Sequence, residues 1–166
     1  FQLEMRAFDD GVAYRFVVPG ADHEIRTPEE FSEFVVPSGA TTWFHDLVDG
    51  GYESKYQQRQ SDEIKAGQSA GPPVTFQLPD GAGYGVIAEA NLVNYAGMGL
   101  EGDGRRGWTI ALGHRQPVSR YYDLHYGREE AKRLGRPAPV TGTITTPWRV
   151  VMAARAESAR PSAAAT

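Results

Sequence analysis

FQLEMRAFDDGVAYRFVV, residues 1–18, reads as two strands and a turn. Phe1, Leu3, Met5 and Ala7 fall on one side of an extended chain and Gln2, Glu4 and Arg6 on the other, the two-residue alternation of a half-buried strand. Asp9-Asp10-Gly11 is a turn signal, and Val12, Tyr14, Phe16 and Val18 resume the alternation. The pattern predicts a β-hairpin. The chain begins inside a strand, with neither an initiator methionine nor the charged head and apolar core of a signal peptide, so it is expected to start within a domain.

Further strand-like runs follow outward from the hairpin. They are HEIR (23–26), EFVVP (33–37), TTWFH (41–45), PVTFQL (73–78), YGVIAEANLVNY (84–95), GWTIALG (107–113), VTGTIT (140–145) and PWRVVMAA (147–154). Short strands at this spacing, with nineteen glycines and eleven prolines to punctuate them, predict an all-β sandwich or barrel. Helix is expected only at the periphery. TPEEFSEF (27–34) offers Thr27 as an N-cap, Pro28 at the first helical position and Glu30 three residues after the cap. REEAKRLG (128–135) offers a second short helix stopped by Gly135. SDEIKAGQSAGPP (61–73) reads as a polar surface loop. The folded unit is expected to span residues 1–154, and 155–166, rich in Ala, Ser, Arg and Pro, to be a flexible linker or disordered tail.

With 166 residues, 40% of them hydrophobic, the chain can bury one core, which favours a single domain. The formal charge of −4 and the scattered arginines give no footprint for nucleic acid. No apolar run approaches the 18 or so residues of a membrane span. The lack of cysteine excludes disulfides, thiol nucleophiles and thiolate metal sites.

Motifs for chemistry are sparse. GDGRRG (102–107) matches a dinucleotide fingerprint in letters only, because the strand-like WTIALG follows it where a helix N-terminus is required; it reads as a hairpin loop. The histidines at 23, 45, 114 and 125 have no local pairing that would seat zinc, and no serine sits in a G-x-S-x-G elbow. Trp43, Tyr52, Tyr56, Trp108, Tyr121, Tyr122 and Trp148 could stack on sugar rings, although aromatic side chains in an all-β domain usually serve the core.

Glu89 is the most telling position. In YGVIAEANLVNY, Val86, Ala88, Ala90 and Leu92 share one face and Ile87, Glu89 and Asn91 the other. Taking the first set as the apolar stripe leaves Glu89 projecting to the opposite side. Two readings stand: an ion pair with an arginine across the sheet, or a ligand for a hard cation such as calcium. Calcium takes six to eight oxygens, and no D-x-D cluster lies nearby to supply them, so the remainder would have to come from another segment or domain.

The order RAFDDGVAYRF (6–16), Trp43 and YESKY (52–56), IAEANLVNYAGMGL (87–100) and TPWRVV (146–151) resembles the N-terminal domain of glycoside hydrolase family 97, over residues 1 to about 153. That family comprises α-glucosidases and α-galactosidases. The resemblance implies a β-supersandwich of the galactose-mutarotase type, incomplete here, followed in the parent enzyme by a (β/α)8 barrel carrying the general acid and the base or nucleophile. It therefore implies no catalytic residue within this chain and no activity for the chain alone. It also implies a calcium ion shared with the barrel, with Glu89 as this domain's ligand, an α-linked oligosaccharide or α-galactoside as substrate, and a periplasmic or secreted location. Two alternatives stand beside it: a stand-alone carbohydrate-binding β-sandwich acting through aromatic stacking, and an interaction domain with no ligand.

Overall fold

The hairpin forms as residues 1–18 predict. In the computed structural model, which describes residues 1–47, 54–113 and 137–155, β1 (Gln2–Phe8) pairs antiparallel with β2 (Gly11–Val18), Leu3 opposite Phe16 and Met5 opposite Tyr14. The other strands are β3 (Ile25–Arg26), β4 (Glu33–Val35), β5 (Thr41–His45), β6 (Tyr56–Gln60), β7 (Ser69–Gln77), β8 (Tyr84–Ala90), β9 (Met98–Gly102), β10 (Gly107–Leu112), β11 (Val140–Thr141), β12 (Ile144–Thr145) and β13 (Trp148–Ala154). All the pairings among them are antiparallel. The fold is all-β and sandwich-like, made from a large sheet that curls over itself in the order β1-β2-β13-β8-β7-β9-β10-β4, with β12 paired to β2, β5 to β7 and β6 to β5, and from a separate two-stranded sheet of β3 and β11.

The curl takes place along β7. Its C-terminal half, Val74–Gln77, pairs with β8, whereas Ser69 and Ala70 pair with β9. Gly71, Pro72 and Pro73 lie between the two registers. A proline has no N–H to give to a ladder, so it belongs where a strand changes partner. On the opposing strand, β5 loses its regular register between Trp43 and His45 at the same place. Gly71 sits against the His45 ring and Gly85 against the Phe76 ring, so that a Cβ at either position would collide with an aromatic side chain.

The two arms of the curl close on a shared core. Phe34, Val36, Phe44, Val74, Ile87, Met98, Leu100, Trp108 and Ile110 are all buried and in mutual contact, with Phe44 meeting Trp108 edge to face at 5.1 Å between centroids. The register carries the same inner face from Ile87 and Val74 across Val151, Arg149 and Tyr14 to Met5 and Leu3. At the β7–β8 end that face is covered by β9, β10 and β4. At the β1 end no described residue covers it, and Leu3 and Met5, expected to be half-buried, are 51% and 68% exposed.

Two local expectations meet a different outcome. Residues 27–32 are not helical and run into β4; Pro28 and Glu30 are buried there, and a tertiary partner for Glu30 described below overrides a weak local helix signal. The region read as a polar loop at 61–73 holds a 3-10 turn (Ser61–Glu63) and the start of β7. The second predicted helix, at 128–135, and the tail from residue 156 lie outside the described residues. GDGRRG is the β9–β10 hairpin loop, as its context predicts. The Asp103 carboxylate accepts the backbone N–H of Arg105 at 2.6 Å and of Gly107 at 2.8 Å, while Gly104 takes φ +79.

Leu100→Ala, which empties space between the two arms, is expected to cost about 2–5 kcal/mol in denaturant unfolding. The Arg105 N–H, and with it that of Gly107, holds the Asp103 carboxyl below its ordinary value of 3.8. A depressed folded value adds stability above the unfolded one and loses it as pH falls through the folded one. Thermal unfolding across pH should therefore find Asp103→Ala destabilised at neutral pH, with the gap to wild type closing below pH 3.8.

Candidate functional site

TPWRVV places an arginine in a strand with neighbours on both sides. β13 lies between β2 and β8, with Arg149 opposite Tyr14 on one side and opposite Glu89 on the other. Alternation sends adjacent side chains to opposite faces. Trp148 stacks on the outer face between the guanidinium groups of Arg6 and Arg15, at 4.5 and 4.6 Å from its ring centroid. Arg149 points inward and is completely buried.

A guanidinium without water must find partners for its donors. Arg149 donates from Nε to Glu30 Oε1 at 2.8 Å and from Nη2 to Glu30 Oε2 at 2.6 Å, a bidentate fork along one edge. Its remaining terminal nitrogen, Nη1, donates to Glu89 Oε2 at 2.8 Å. Burial by itself pushes the arginine's pKa down, but the hydrogen bonds and charges of Glu30 and Glu89 outweigh burial and hold it above its usual value. The Tyr95 phenol is pushed up by burial and by the charge of Glu30, so it stays protonated and donates to Glu30 Oε2 at 3.3 Å.

The two carboxylates differ in how fully they are used. An ionised carboxylate has about four acceptor sites. Glu30 uses four: two for Arg149, one for the Ser32 hydroxyl at 3.2 Å and one for Tyr95. Glu89 accepts two hydrogen bonds, from Arg149 and from the Met98 N–H at 3.0 Å. The side chain of Glu30 is 3% exposed and that of Glu89 15%. Two carboxylates against one guanidinium leave the triad a net charge of −1, and the accessible acceptor sites are on Glu89.

Glu89 lies on the core face with Ile87, not opposite an apolar stripe as its sequence neighbours suggest; Ile87 is buried while Val86 and Ala88 are only partly so. The cross-sheet arginine is present, yet it does not saturate the carboxylate or seal it from solvent. These residues fit the edge of a cation site and not the whole of one. Among the described residues no group of three or more acidic or histidine side chains could hold a metal ion. Glu89 offers one carboxylate in a locally negative cluster, and the rest of a calcium shell would have to come from outside the described residues.

Glu30 was hidden in the sequence by its apparent place in a helix, and only the topology brings it within reach of Arg149. A signal for Arg149 was present: a cation between Trp148 and Val150 in an apolar strand. Among the aromatic candidates, Trp108 is a core residue, Trp148 is buried between Arg6 and Arg15 on the outer face, Trp43 is half-buried, Tyr56 is exposed, and Tyr52, Tyr121 and Tyr122 lie outside the described residues. His23 is exposed and His45 is buried, and His114 and His125 are not among the described residues. A cleft of about 590 Å³ opens beside Glu30, lined by Phe16, Phe31, Ser32, Tyr95 and Thr146, with Phe31 86% exposed.

Similar architecture occurs in solved structures. The chain is 26% identical to a glycoside hydrolase family 97 enzyme from Pseudoalteromonas sp. strain K8 in complex with acarbose, covering 92% of this chain and 20% of that one with a TM-score of 0.69. The E480Q form of an enzyme of the same family and strain, in complex with panose, aligns over the same shares at 25% identity and a TM-score of 0.70. A beta-arabinopyranosidase shares the fold, with 17% identity over 92% of this chain and 24% of that one and a TM-score of 0.65. No curated protein matches. The chain thus spans about a fifth of the length of the family 97 structures it matches. The family model described as Glycosyl-hydrolase 97 N-terminal matches residues 1–159, nearly all of the chain, and the chain belongs to that family.

Proposed function

We propose that this chain is the non-catalytic N-terminal domain of a calcium-dependent α-glycosidase. It contributes to the substrate pocket, and to a calcium site at the interface with a (β/α)8 barrel that holds the catalytic carboxyl groups. The observation that carries this reading is Glu89: a partly accessible carboxylate with two acceptor sites to spare, in a cluster of net charge −1, within a chain of this family. Glu89 would hold the ion from this side, and a bound calcium supplies positive charge that orients and polarises substrate oxygens. This chain's own residues orient the ligand, exclude water from its inner side and present one negative charge outward. The substrate is an α-linked oligosaccharide or an α-galactoside, and the enzyme acts in the periplasm or outside the cell. No helix among the described residues is long and apolar enough to cross a membrane.

The exposed Phe31 and the aromatic cleft beside Glu30 favour a second reading, a stand-alone carbohydrate-binding sandwich. Calorimetry of this chain with maltose and with methyl α-galactoside separates the two. Binding heat from the chain alone favours the module, and its absence favours a domain that works only with the barrel. In the full-length enzyme, Glu89→Gln is expected to raise the calcium needed for half-maximal hydrolysis by about tenfold or more, the scale on which changes around a metal act. An unchanged calcium requirement would sink the metal role.

A further inference from the structure

The three members of the triad are chemically unequal, and the inequality has a direction. Glu30 holds the Nε–Nη2 edge of Arg149 in a two-bond fork and has its remaining acceptor sites filled by Ser32 and Tyr95. The guanidinium is planar, so fixing that edge fixes where Nη1 points. Nη1 meets Glu89 Oε2, and the Met98 N–H meets the other oxygen, so the carboxylate is clamped at both ends. Charge follows the same direction. Arg149 alone would neutralise Glu89 and repel a cation, but the Glu30 charge cancels that of Arg149 and leaves Glu89 effectively anionic.

We infer that Glu30 and Arg149 are positioning residues for Glu89: Arg149 orients the carboxylate, and Glu30 orients Arg149 and offsets its charge, so that Glu89 can accept a divalent cation. This rests on the calcium reading above and extends it to two residues buried behind the ligand. Neither residue would touch the ion. The arrangement also accounts for a carboxylate at position 30 in a segment with no regular structure, held by a strand more than a hundred residues away.

The test is calcium affinity, measured by calorimetry on chelator-treated full-length enzyme, with metal-free thermal unfolding recorded for each variant. Glu30→Gln keeps the shape of the side chain and removes its charge. It is expected to weaken calcium binding about ten- to a hundredfold, as loss of a partner behind a metal ligand does. Arg149→Lys keeps the charge and loses the fork, and should also weaken binding. Glu4→Gln, at an ion pair with Arg15 on the other face of β1 and β2, should leave affinity unchanged. Weakened binding by Glu30→Gln in protein that still unfolds cooperatively supports the assignment. Wild-type affinity in Glu30→Gln, with affinity lost in Glu89→Gln, overturns the positioning role and leaves the metal reading intact. Wild-type affinity in Glu89→Gln overturns the metal reading and this assignment with it. Should Arg149→Lys fail to fold, Glu30→Gln decides by itself.

Discussion

A guanidinium cut off from water constrains everything around it. Arg149 cannot be solvated or deprotonated in the middle of a sheet, so its donors must be met by carboxylates brought from elsewhere. That requirement ties β13 to the 27–32 segment and to β8, three pieces distant in sequence, and it determines the course of a segment that has no ladder of its own until β4. Such a triad is weak evidence for stability, because well-packed apolar side chains often do as well. Its value lies in geometry. A rigid fork sets two carboxylates in fixed relation, and it saturates one of them while leaving the other with capacity to spare.

The sheet positions that cluster by curling. Because β7 changes partners midway, one continuous ladder supplies both walls of the sandwich, and the core of Phe44, Trp108, Leu100 and Ile87 fills the bend. The triad sits where the covered part of the inner face gives way to the open part, between buried Ile87 and exposed Met5. This explains how one carboxylate can be nearly sealed while its neighbour across the guanidinium keeps some exposure. It also sets the reading of the apolar residues on β1. Leu3 and Met5 carry the pattern of a core strand, and that pattern marks which face is inward without guaranteeing that anything lies over it.

Family membership and the site geometry answer different questions. Membership follows from the match over residues 1–159 and gives the kind of enzyme in which such a domain occurs. The geometry bears on what the domain presents: a partly accessible carboxylate, Glu89, backed by a buried guanidinium. The aromatic cleft beside Glu30 is lined by Tyr95 and Ser32, both donors to Glu30, so a change in the cleft would be felt at Glu30 through two hydrogen bonds.

The sequence by itself determined the hairpin, most of the strands and the GDGRRG loop, because alternation and turn chemistry are local and leave their mark in consecutive residues. It misjudged the face of Glu89, since on a strand with small apolar residues on both sides composition does not say which side is covered. It missed Glu30, whose neighbours Thr27 and Pro28 are good helix-starting residues. Only the tertiary structure decided these. The free energy of pairing a buried cation exceeds the few tenths of a kcal/mol by which local preferences choose a backbone, and the partner that claims Glu30 comes from the far end of the chain, where no window of adjacent residues can register it.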